Sequence, residues 1–408
     1  MITALRGMVD IIDDAPKYEY ILNTAIDCAK RYGFNLIETP ILEETSLFRR
    51  SVGESSDIVG KEMYEFADKS GKSVCLRPEG TAGVVRAFIE KKLDRANGVY
   101  RFFYRGAMFR YERPQKGRLR QFHQFGVESF GEKSVYEDAA IILLARDIFD
   151  ALGVKYTLEI NSLGCVNCMP QYKEKLSAFL NANSEGLCED CKRRADVNPI
   201  RALDCKNEAC KNIYENAPLM TDFLCDECKQ DFNDLQAILA RNNVAFSLNK
   251  KLVRGLDYYN KTAFEFISAE IGSQNAIAGG GRYDKLVEHL GGKPTFAVGF
   301  ALGVQRIYDL VNAPQNQREG VYIGAIDNEA IGDIFSYASS LRQRVKTFVE
   351  YEPKKLAAHL KNADRMNAKI CAVIGENERA NGAIWIKDML EGKESKPKLD
   401  EWLKGFDI

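Results

Sequence analysis

The sequence predicts a protein of two or three domains that combines helices with strands, and three observations lead to this prediction. The chain has 408 residues, 45% of them hydrophobic, and is too long for one typical domain. Two extended runs, 99–111 and 121–130, bracket a basic, turn-rich loop. Four cysteine pairs follow residue 162, and beyond residue 320 apolar strands alternate with helices, which is typical of a small α/β domain.

Composition limits the classes of function. The formal net charge is −1, so no global basic excess indicates nucleic acid, and such binding would have to be local. The N-terminus lacks an apolar signal region, and no run is long enough to span a membrane, so we expect a cytoplasmic protein with no membrane partner. In that compartment the 11 cysteines are expected to be reduced thiols or metal ligands rather than disulfides.

Hydrophobic periodicity predicts helices over residues 17–32 and 135–152, a helical turn over 43–48, and short strands over 34–42, 63–67 and 73–76. Thr81 is the expected N-cap of the helix that follows it. Glu79 would lie in the irregular turn before that helix, between Pro78 and Gly80. A carboxylate there is either a functional group or an ordinary surface residue near a helix N-terminus.

The second run of the hairpin carries an unusual set of side chains. Because residues alternate along a strand, Phe122, Gln124, Gly126 and Glu128 share one face. That face is either solvated or the floor of a site in which Gln and Glu hydrogen-bond a polar ligand. The basic loop at 112–120 would then supply cations for an anion.

The cysteine-rich segment interrupts this pattern. Three of its four pairs are CxxC, a spacing that lets two sulfurs in one turn reach the same ion. The segment either holds one or two structural zinc ions or carries reduced cysteines in a small insertion, and 181–216 is otherwise polar and irregular. The eight candidate ligands are Cys165, Cys168, Cys188, Cys191, Cys205, Cys210, Cys225 and Cys228.

The remaining elements follow in order. A helix is predicted over 226–242, a strand-like run over 251–266, a triple-glycine loop entering a helix over 278–284, and a strand over 296–302. The glycines fit neither GxGxxG nor GxxxxGK[ST]; they indicate a close ligand or a positive-φ turn. A linker is expected over 312–319, and the predicted C-terminal elements are 321–326, 331–345, 347–351, 354–362, 370–374 and 383–388.

Together these stretches resemble the histidyl-tRNA synthetases, class II aminoacyl-tRNA synthetases of the bacterial type. The resemblance covers nearly the whole chain and is carried by LRPEGTAG, FRYERPQKGRLRQFHQFGVE, LVRGLDYY, AGGGRYD and GFALGVQR. It implies an α+β catalytic domain with a mainly antiparallel sheet over 1–162 and 246–312. It also implies an inserted Cys-rich domain over 163–245 and a C-terminal α/β anticodon-binding domain over 319–408.

The resemblance also implies activation of L-histidine by ATP with Mg²⁺, and transfer of histidine to tRNA(His). Arg110 and Arg254 are the implied catalytic arginines at the α-phosphate, and ATP is bound by Arg110, Arg118, Arg254 and Arg306. The acceptor end of tRNA would meet Gln115, Lys116 and Arg118. The implied histidine site comprises Glu79, Thr81, Gln124, Glu128, Tyr258, Tyr259, Gly279, Gly280 and Tyr283.

Members of this family form homodimers across a first motif, here about 34–48. Two departures stand out: Gln305 replaces the usual glutamate before the third-motif arginine, and the glycine-rich Lys-Lys-Gln segment common in bacterial relatives is not found between Phe348 and Leu360. The alternative function is a paralogue, the regulatory subunit of ATP phosphoribosyltransferase, which binds histidine without aminoacylation. Retention of Arg110, Arg254 and Arg306 favours the enzyme.

Overall fold

A computed structural model describes residues 2–53, 56–205, 207–272, 275–313 and 318–405. The chain forms two compact units, Met1–Ala313 and Pro314–Ile408. Part of the expected linker, 314–317, lies outside the described residues, as do the last three residues of the C-terminal domain. None of the described helices has both the length and the apolar character that a membrane crossing requires.

The first unit contains the hairpin and the cysteine-rich segment. Its strands are β1 (Asn35–Leu36), β2 (Leu42–Glu44), β3 (Glu65–Ala67), β4 (Ser73–Leu76), β5 (Tyr100–Phe109), β6 (Gln121–Phe130), β7 (Thr157–Ser162), β8 (Ser247–Leu248), β9 (Asn260–Ile267), β10 (Ala276–Arg282) and β11 (Ala297–Gly303). Its α-helices are α1 (Ala15–Arg31), α2 (Thr45–Val52), α3 (Thr81–Glu90), α4 (Val135–Ala151), α5 (Met169–Ala182), α6 (Glu189–Val197), α7 (Glu208–Tyr214), α8 (Asp226–Arg241), α9 (Leu286–His289) and α10 (Val304–Ile307).

Eight described strands form one sheet in the order β1-β5-β6-β11-β10-β9-β7-β8. The six central strands pair antiparallel, and only the short edge strands β1 and β8 pair parallel. The predicted antiparallel α+β fold is thereby confirmed. A smaller antiparallel sheet has the order β2-β4-β3.

The two faces of the large sheet have opposite characters because side chains alternate along each strand. One face packs its large apolar side chains under α1, α4 and α8, including Phe103, Phe125, Phe264, Phe266 and Phe300. Helix α4 accordingly buries most of its apolar side chains, among them Ile141, Ile142 and Leu144. The other face carries a second apolar cluster, which includes Tyr104, Phe130 and Tyr283, and beside it the polar residues of the candidate site.

The insertion has a core of its own, separate from the sheet. It is built on helices α5 to α7 and short 3₁₀ segments, and its buried residues include Tyr172, Leu176, Leu180 and several of the cysteines. The expectation of irregular structure over 181–216 is therefore wrong, because α6 and α7 lie there. Their short, polar sequences give little helical periodicity, and tertiary packing around the cysteines stabilises them.

The second unit is an α/β domain whose sheet has the order β13-β12-β14-β15-β16. The three strands β12 (Val321–Ala325), β13 (Thr347–Val349) and β14 (Ile370–Ile374) are parallel, and β15 (Trp385–Asp388) and β16 (Glu394–Ser395) continue antiparallel. Its helices are α11 (Ile331–Leu341), α12 (Leu356–Arg365), α13 (Glu376–Ala380) and α14 (Leu399–Lys404). The predicted α/β character of this region is confirmed.

Two other local predictions differ from the structure. The run 251–259 is irregular, and only Asn260–Ile267 is a strand. The three glycines lie inside β10 rather than in a loop, hydrogen-bonded on both sides by β9 and β11. Glycine weakens a strand and so hides it from sequence patterns, but it also lets another group approach the backbone closely.

Candidate active site

The floor of the candidate site is the open face of the large sheet. Strand register places Gln124, Gly126 and Glu128 of β6 opposite Gly303, Ala301 and Gly299 of β11. The next strand continues the row, because Gly279 and Gly281 of β10 lie opposite Ala301 and Gly299. A row of small residues across neighbouring strands leaves room for a ligand above the backbone.

Glu128 is the most deeply buried acidic group of this floor, with 1% of its surface exposed. Its Oε1 accepts a hydrogen bond of 2.7 Å from the Thr81 hydroxyl, and its Oε2 accepts one from the Tyr283 hydroxyl. Burial raises the pKa of the Glu128 carboxyl to about 8, against the lowering effect of these two donors. The solvated alternative for this strand face is wrong at Glu128.

Gly299 leaves the space that the Glu128 carboxyl group occupies beside β11. A Cβ at this position would collide with the Glu128 carboxyl group and with the Val127 carbonyl. Only glycine leaves that space open.

The Glu79 side chain caps the N-terminus of α3. Its carboxylate accepts backbone hydrogen bonds from Thr81 N (2.7 Å) and Ala82 N (2.9 Å), and it is 3% exposed. Burial raises its pKa, opposed by these amides and by Arg110. The prediction of Thr81 as N-cap is wrong: the helix begins at Thr81, whose hydroxyl points to Glu128 instead. The surface-carboxylate alternative for Glu79 is also wrong.

The irregular segment 253–259 brings an arginine and two tyrosines to the floor. The rings of Tyr258 and Tyr259 are 4.6 Å apart, and both lie near the Tyr283 ring, at 5.6 and 6.4 Å between centroids. Arg254 forms an ion pair with Glu265 of β9, and its guanidinium lies 5.6 Å from the Tyr259 ring centroid. A Cβ at Gly279 would collide with this guanidinium, so the glycine makes room for Arg254.

Three arginines lie close together at another part of the same floor. Arg110 donates to the Pro78 carbonyl at 2.8 Å, and Arg118 pairs with Glu112 at 2.9 Å. Arg306 donates to the Ala276 carbonyl at 2.7 Å, and burial together with the nearby Arg118 lowers its pKa to about 10. It therefore remains charged at neutral pH. Several half-buried guanidiniums with few carboxylates favour a polyanionic ligand.

One cavity of about 710 Å³ unites most of the predicted residues. Those that line it are Glu79, Thr81, Arg110, Arg118, Gln124, Arg254, Tyr258, Tyr259, Gly279 and Arg306. Glu128 and Tyr283 lie behind this lining and are joined to it through Thr81. Gly280 instead faces the opposite side of the sheet, against Phe264 and Phe300. Gln115 and Lys116 line a neighbouring cavity of about 260 Å³, which shares Arg118 and Arg306 with the first.

Gln305, the departure in the third motif, has a clear structural role. Its side-chain oxygen accepts a 2.8 Å hydrogen bond from the His123 backbone N–H and so joins α10 to β6. A glutamate carboxylate could accept the same bond, but glutamine adds no negative charge beside Arg306.

Three residues of this site were not predicted from the sequence. Tyr104 is 3% exposed and fills the space above Gly80 and Gly126, Glu265 pairs with Arg254, and Glu112 pairs with Arg118. A usable signal for Tyr104 was Gly126, because a glycine inside a strand indicates a close neighbour. A charge within the apolar run AFEF was the signal for Glu265.

The eight insertion cysteines form two groups of four. Cys165, Cys168, Cys225 and Cys228 make the first cluster, and Cys188, Cys191, Cys205 and Cys210 the second; within each, the sulfur atoms all lie within 4.8 Å of one another. Sequence spacing could not decide this pairing of the first CxxC with the last. The backbone N–H of Cys225 donates to Cys168 Sγ, and that of Cys188 to Cys210 Sγ.

The raised pKa of Glu128 predicts a pH-dependent contribution to stability. The folded chain holds the Glu128 proton more tightly than the unfolded chain, where the ordinary value is 4.5. As pH rises from about 4.5 to about 8, the wild type should therefore lose stability relative to Glu128→Gln by a few kcal/mol, and the difference should then level off. Urea unfolding at several pH values measures it. Glu174→Gln, on the exposed side of α5, is the control, and a pH-independent gap for Glu128→Gln would contradict the prediction.

Comparison with known proteins places this site in a family. The histidyl-tRNA synthetase family model matches residues 10–307, and an anticodon-binding-domain model matches residues 320–406. The chain is 59% identical to a histidine–tRNA ligase of Sulfurimonas denitrificans over 402 residues, covering 98% of this chain and 100% of that protein. It is 60% identical over 396 residues to a histidine–tRNA ligase of Nitratiruptor sp., covering 97% of each.

A solved structure agrees with these relatives. The crystal structure of apo S. aureus histidyl-tRNA synthetase superposes with a TM-score of 0.84 at 33% identity, covering 100% of both chains. The antiparallel sheet, the glycine-lined floor and the full-length similarity lead to one conclusion. This chain belongs to the histidyl-tRNA synthetase family, the aminoacyl-tRNA ligases of class II fold that act on histidine.

Proposed function

We propose that this protein ligates histidine to tRNA(His) in two steps on the open face of its large sheet. In the first step, the histidine carboxylate attacks the α-phosphorus of ATP, and pyrophosphate leaves. In the second, a terminal ribose hydroxyl of tRNA attacks the carbonyl carbon of histidyl-adenylate, and AMP leaves. The observation that carries the proposal is one cavity lined by four arginines, with the hydrogen-bonded pair Glu128 and Tyr283 buried behind its wall.

The histidine end of the cavity would recognise an amine and an imidazole. Glu79 would accept a hydrogen bond from the amine, with Thr81 beside it, and Glu128 and Tyr259 are the proposed ring partners. Gln124 and Tyr258 line the cavity next to them, and Tyr283 orients Glu128. A pocket that pairs both ring nitrogens discriminates strongly against analogues without them, because its own buried polar groups would be left unpaired.

The ATP end would be held by arginine. Arg110 and Arg254 are proposed to bind the α-phosphate, and Arg118 and Arg306 the β- and γ-phosphates. Arginine suits this role because its fork of donors matches phosphate oxygens and its charge persists. In such a reaction the protein mainly positions groups and neutralises charge that develops on the phosphates. Mg²⁺ would enter with the ATP phosphates; the nearby carboxylates Glu112 and Glu265 are already paired with arginines.

Transfer RNA would meet two regions. We propose that Gln115, Lys116 and Arg118 contact the acceptor end beside the cavity, and that 319–408 is the anticodon-binding domain. Residues 1–162 and 246–312 would form the catalytic domain and 163–245 the insertion. Because the loop contacts are cationic, affinity for tRNA should fall with salt. We place this activity in the cytoplasm.

Histidine-dependent exchange of pyrophosphate into ATP tests this function. The wild type should catalyse it, and Arg254→Ala should slow it by about 10²- to 10³-fold, because a charge that stabilises the transition state is lost. Histidine affinity, measured by calorimetry, should change little.

The matched control is Arg146→Gln, which removes a half-buried arginine that is paired with Asp147 on α4 and does not line the cavity. It should exchange pyrophosphate at the wild-type rate. Histidine binding without exchange by the wild type would favour the regulatory-subunit alternative and contradict the enzyme. A near-normal rate for Arg254→Ala would contradict only the role given to Arg254.

We further propose that each cysteine cluster holds one structural Zn²⁺. Four thiolates at a Zn–S distance of about 2.3 Å require sulfur separations of about 3.8 Å. The separations include 3.6 Å for Cys165–Cys168, 3.9 Å for Cys165–Cys225 and 3.8 Å for Cys188–Cys205. Backbone N–H groups donate to two of the sulfurs, Cys168 Sγ and Cys210 Sγ, and so help to fix their positions within the clusters.

Metal analysis of the purified protein should find about two zinc ions per chain. Cys228→Ser should lower the content to about one, because it removes a ligand of the first cluster only. Cys371→Ala, a buried cysteine of the second unit, should leave the content unchanged. Wild-type protein that neither carries zinc nor takes it up would rule the sites out.

We also propose that the chain forms a homodimer through the region around residues 34–48. Leu36, Ile41 and Leu42 are about half exposed there, and Phe66 of the adjoining small sheet is 47% exposed. An apolar patch of this kind is typical of an interface. Light scattering should give twice the mass of one chain, and Leu42→Lys should shift it toward the monomer. Leu390→Lys, at an exposed leucine of the second unit, should not; an unchanged mass for Leu42→Lys would contradict this interface.

A further inference from the structure

The second cysteine cluster encloses a short segment of the insertion. Cys188 and Cys191 lie at the start of α6, and Cys205 follows the 3₁₀ segment Pro199–Asp204. This segment is packed into the insertion core: Ala202 is fully buried, and its carbonyl lies 4.0 Å from Cys191 Sγ. Residues 192–204 are therefore flanked by two cysteines of the cluster, Cys191 and Cys205, which fix the position of the 3₁₀ segment.

Arg201 extends from this segment toward the catalytic unit. Although charged, it is only 8% exposed, and its Nε donates a 2.7 Å hydrogen bond to Asp257 Oδ1. The bond is charge-assisted and its arginine partner is buried, whereas Asp257 is partly exposed, so it should be stronger than an ion pair between two fully exposed residues. Asp257 directly precedes Tyr258 and Tyr259, so Arg201 is bonded to the segment that carries the histidine-site tyrosines.

The segment 253–259 needs such support because it lies outside the helices and strands of the described chain. The Asp257 N–H donates to the Val52 carbonyl at 3.3 Å, and the Asp257 side chain occupies the space beside Gly53, which has a φ of +93°. Asp257 is thus an anchor point for a segment without ladder hydrogen bonds. A small displacement here would be passed to Arg254 and to both tyrosines.

A second contact joins the insertion to the same neighbourhood. Arg194 of α6 pairs with Asp57 at 2.9 Å and also donates to the Arg201 carbonyl at 3.3 Å. The insertion also supplies part of the cavity wall directly, through Leu203, Asp204, Cys205, Lys211, Tyr214 and Glu215. The second cluster is therefore adjacent to the cavity, not remote from it.

We infer that Arg201 is a positioning residue for histidine binding and that the second cysteine cluster, through Arg201 and Asp257, holds the segment 253–259 in its binding conformation. The inference rests on the proposed synthetase function and the proposed metal at this cluster. Zinc bound at the second cluster would then increase the affinity of the protein for histidine. The cluster takes no part in the chemical steps.

Arg201→Gln tests the link, with steady-state pyrophosphate exchange and calorimetric histidine binding as readouts. Loss of a charge-assisted hydrogen bond should raise both KM and Kd for histidine by about tenfold, with kcat little changed and zinc content as in the wild type. Arg201→Lys, which keeps a charged donor, should recover part of the affinity. Asp257→Asn probes the same bond from the acceptor side with almost no change in volume.

Coupling to the cluster is tested with Cys188→Ser. This variant should lose about one zinc per chain and weaken histidine binding as Arg201→Gln does. Combining the two substitutions should add little, because both break the same connection. Arg193→Gln, which removes an exposed α6 arginine paired with Asp190, is the control and should match the wild type in every readout.

Wild-type histidine affinity in Arg201→Gln and Asp257→Asn would overturn the inference. Fully additive effects of Cys188→Ser and Arg201→Gln would overturn the connection to the cluster. Failure of the proposed function can be told apart from failure of this inference. If the wild type showed no histidine-dependent exchange, calorimetry would still measure whether Arg201→Gln weakens histidine binding.

Discussion

The buried carboxyl group of Glu128 is the constraint on which the candidate site depends. It accepts hydrogen bonds from Thr81, the first residue of α3, and from Tyr283, which follows β10, while β6 carries the glutamate itself. Three distant parts of the chain are therefore joined at one group. A buried acid without such partners would be costly, and a buried acid with them has its position and its protonation state defined together.

Small residues make this arrangement possible. Gly126 leaves space for Tyr104, Gly299 for Glu128, and Gly279 for Arg254. The three positions lie on neighbouring antiparallel strands in register, so this part of one face is a shallow floor, while the opposite face packs against helices. Apolar burial on both faces stabilises the fold, and on the floor face it surrounds the polar and charged groups of the candidate site.

The insertion differs from the sheet in how its fold is stabilised. A segment of this size buries too little apolar surface to fold strongly alone, and metal ligation is one established way to stabilise such a segment. Here the thiols also lie next to functional elements. Arg201 connects the second cluster to Asp257, so the same ligands that would order the insertion also restrain the irregular segment with Arg254, Tyr258 and Tyr259.

The sequence by itself determined the strands β5 and β6, the helices α1, α4 and α8, and the alternation of strands and helices in the second unit. Through its motifs it also determined the family. These features depend on local periodicity and on short segments whose spacing is visible in one dimension. It did not reveal that the glycines of β10 form a strand, that Glu79 rather than Thr81 caps α3, or that Gly280 faces the core. Each of these depends on neighbours far away in the chain.

The tertiary structure alone decided how the site is assembled. It paired the first CxxC with the last, brought Tyr104 over Gly126, and placed Arg201 of the insertion on Asp257. The physical reason is the same in each case: long-range contacts are selected by packing and by the need of buried polar groups for partners, and neither leaves a periodic signal in the sequence. Residue types predicted the chemistry of the floor, and the register of the antiparallel sheet decided which residues share it.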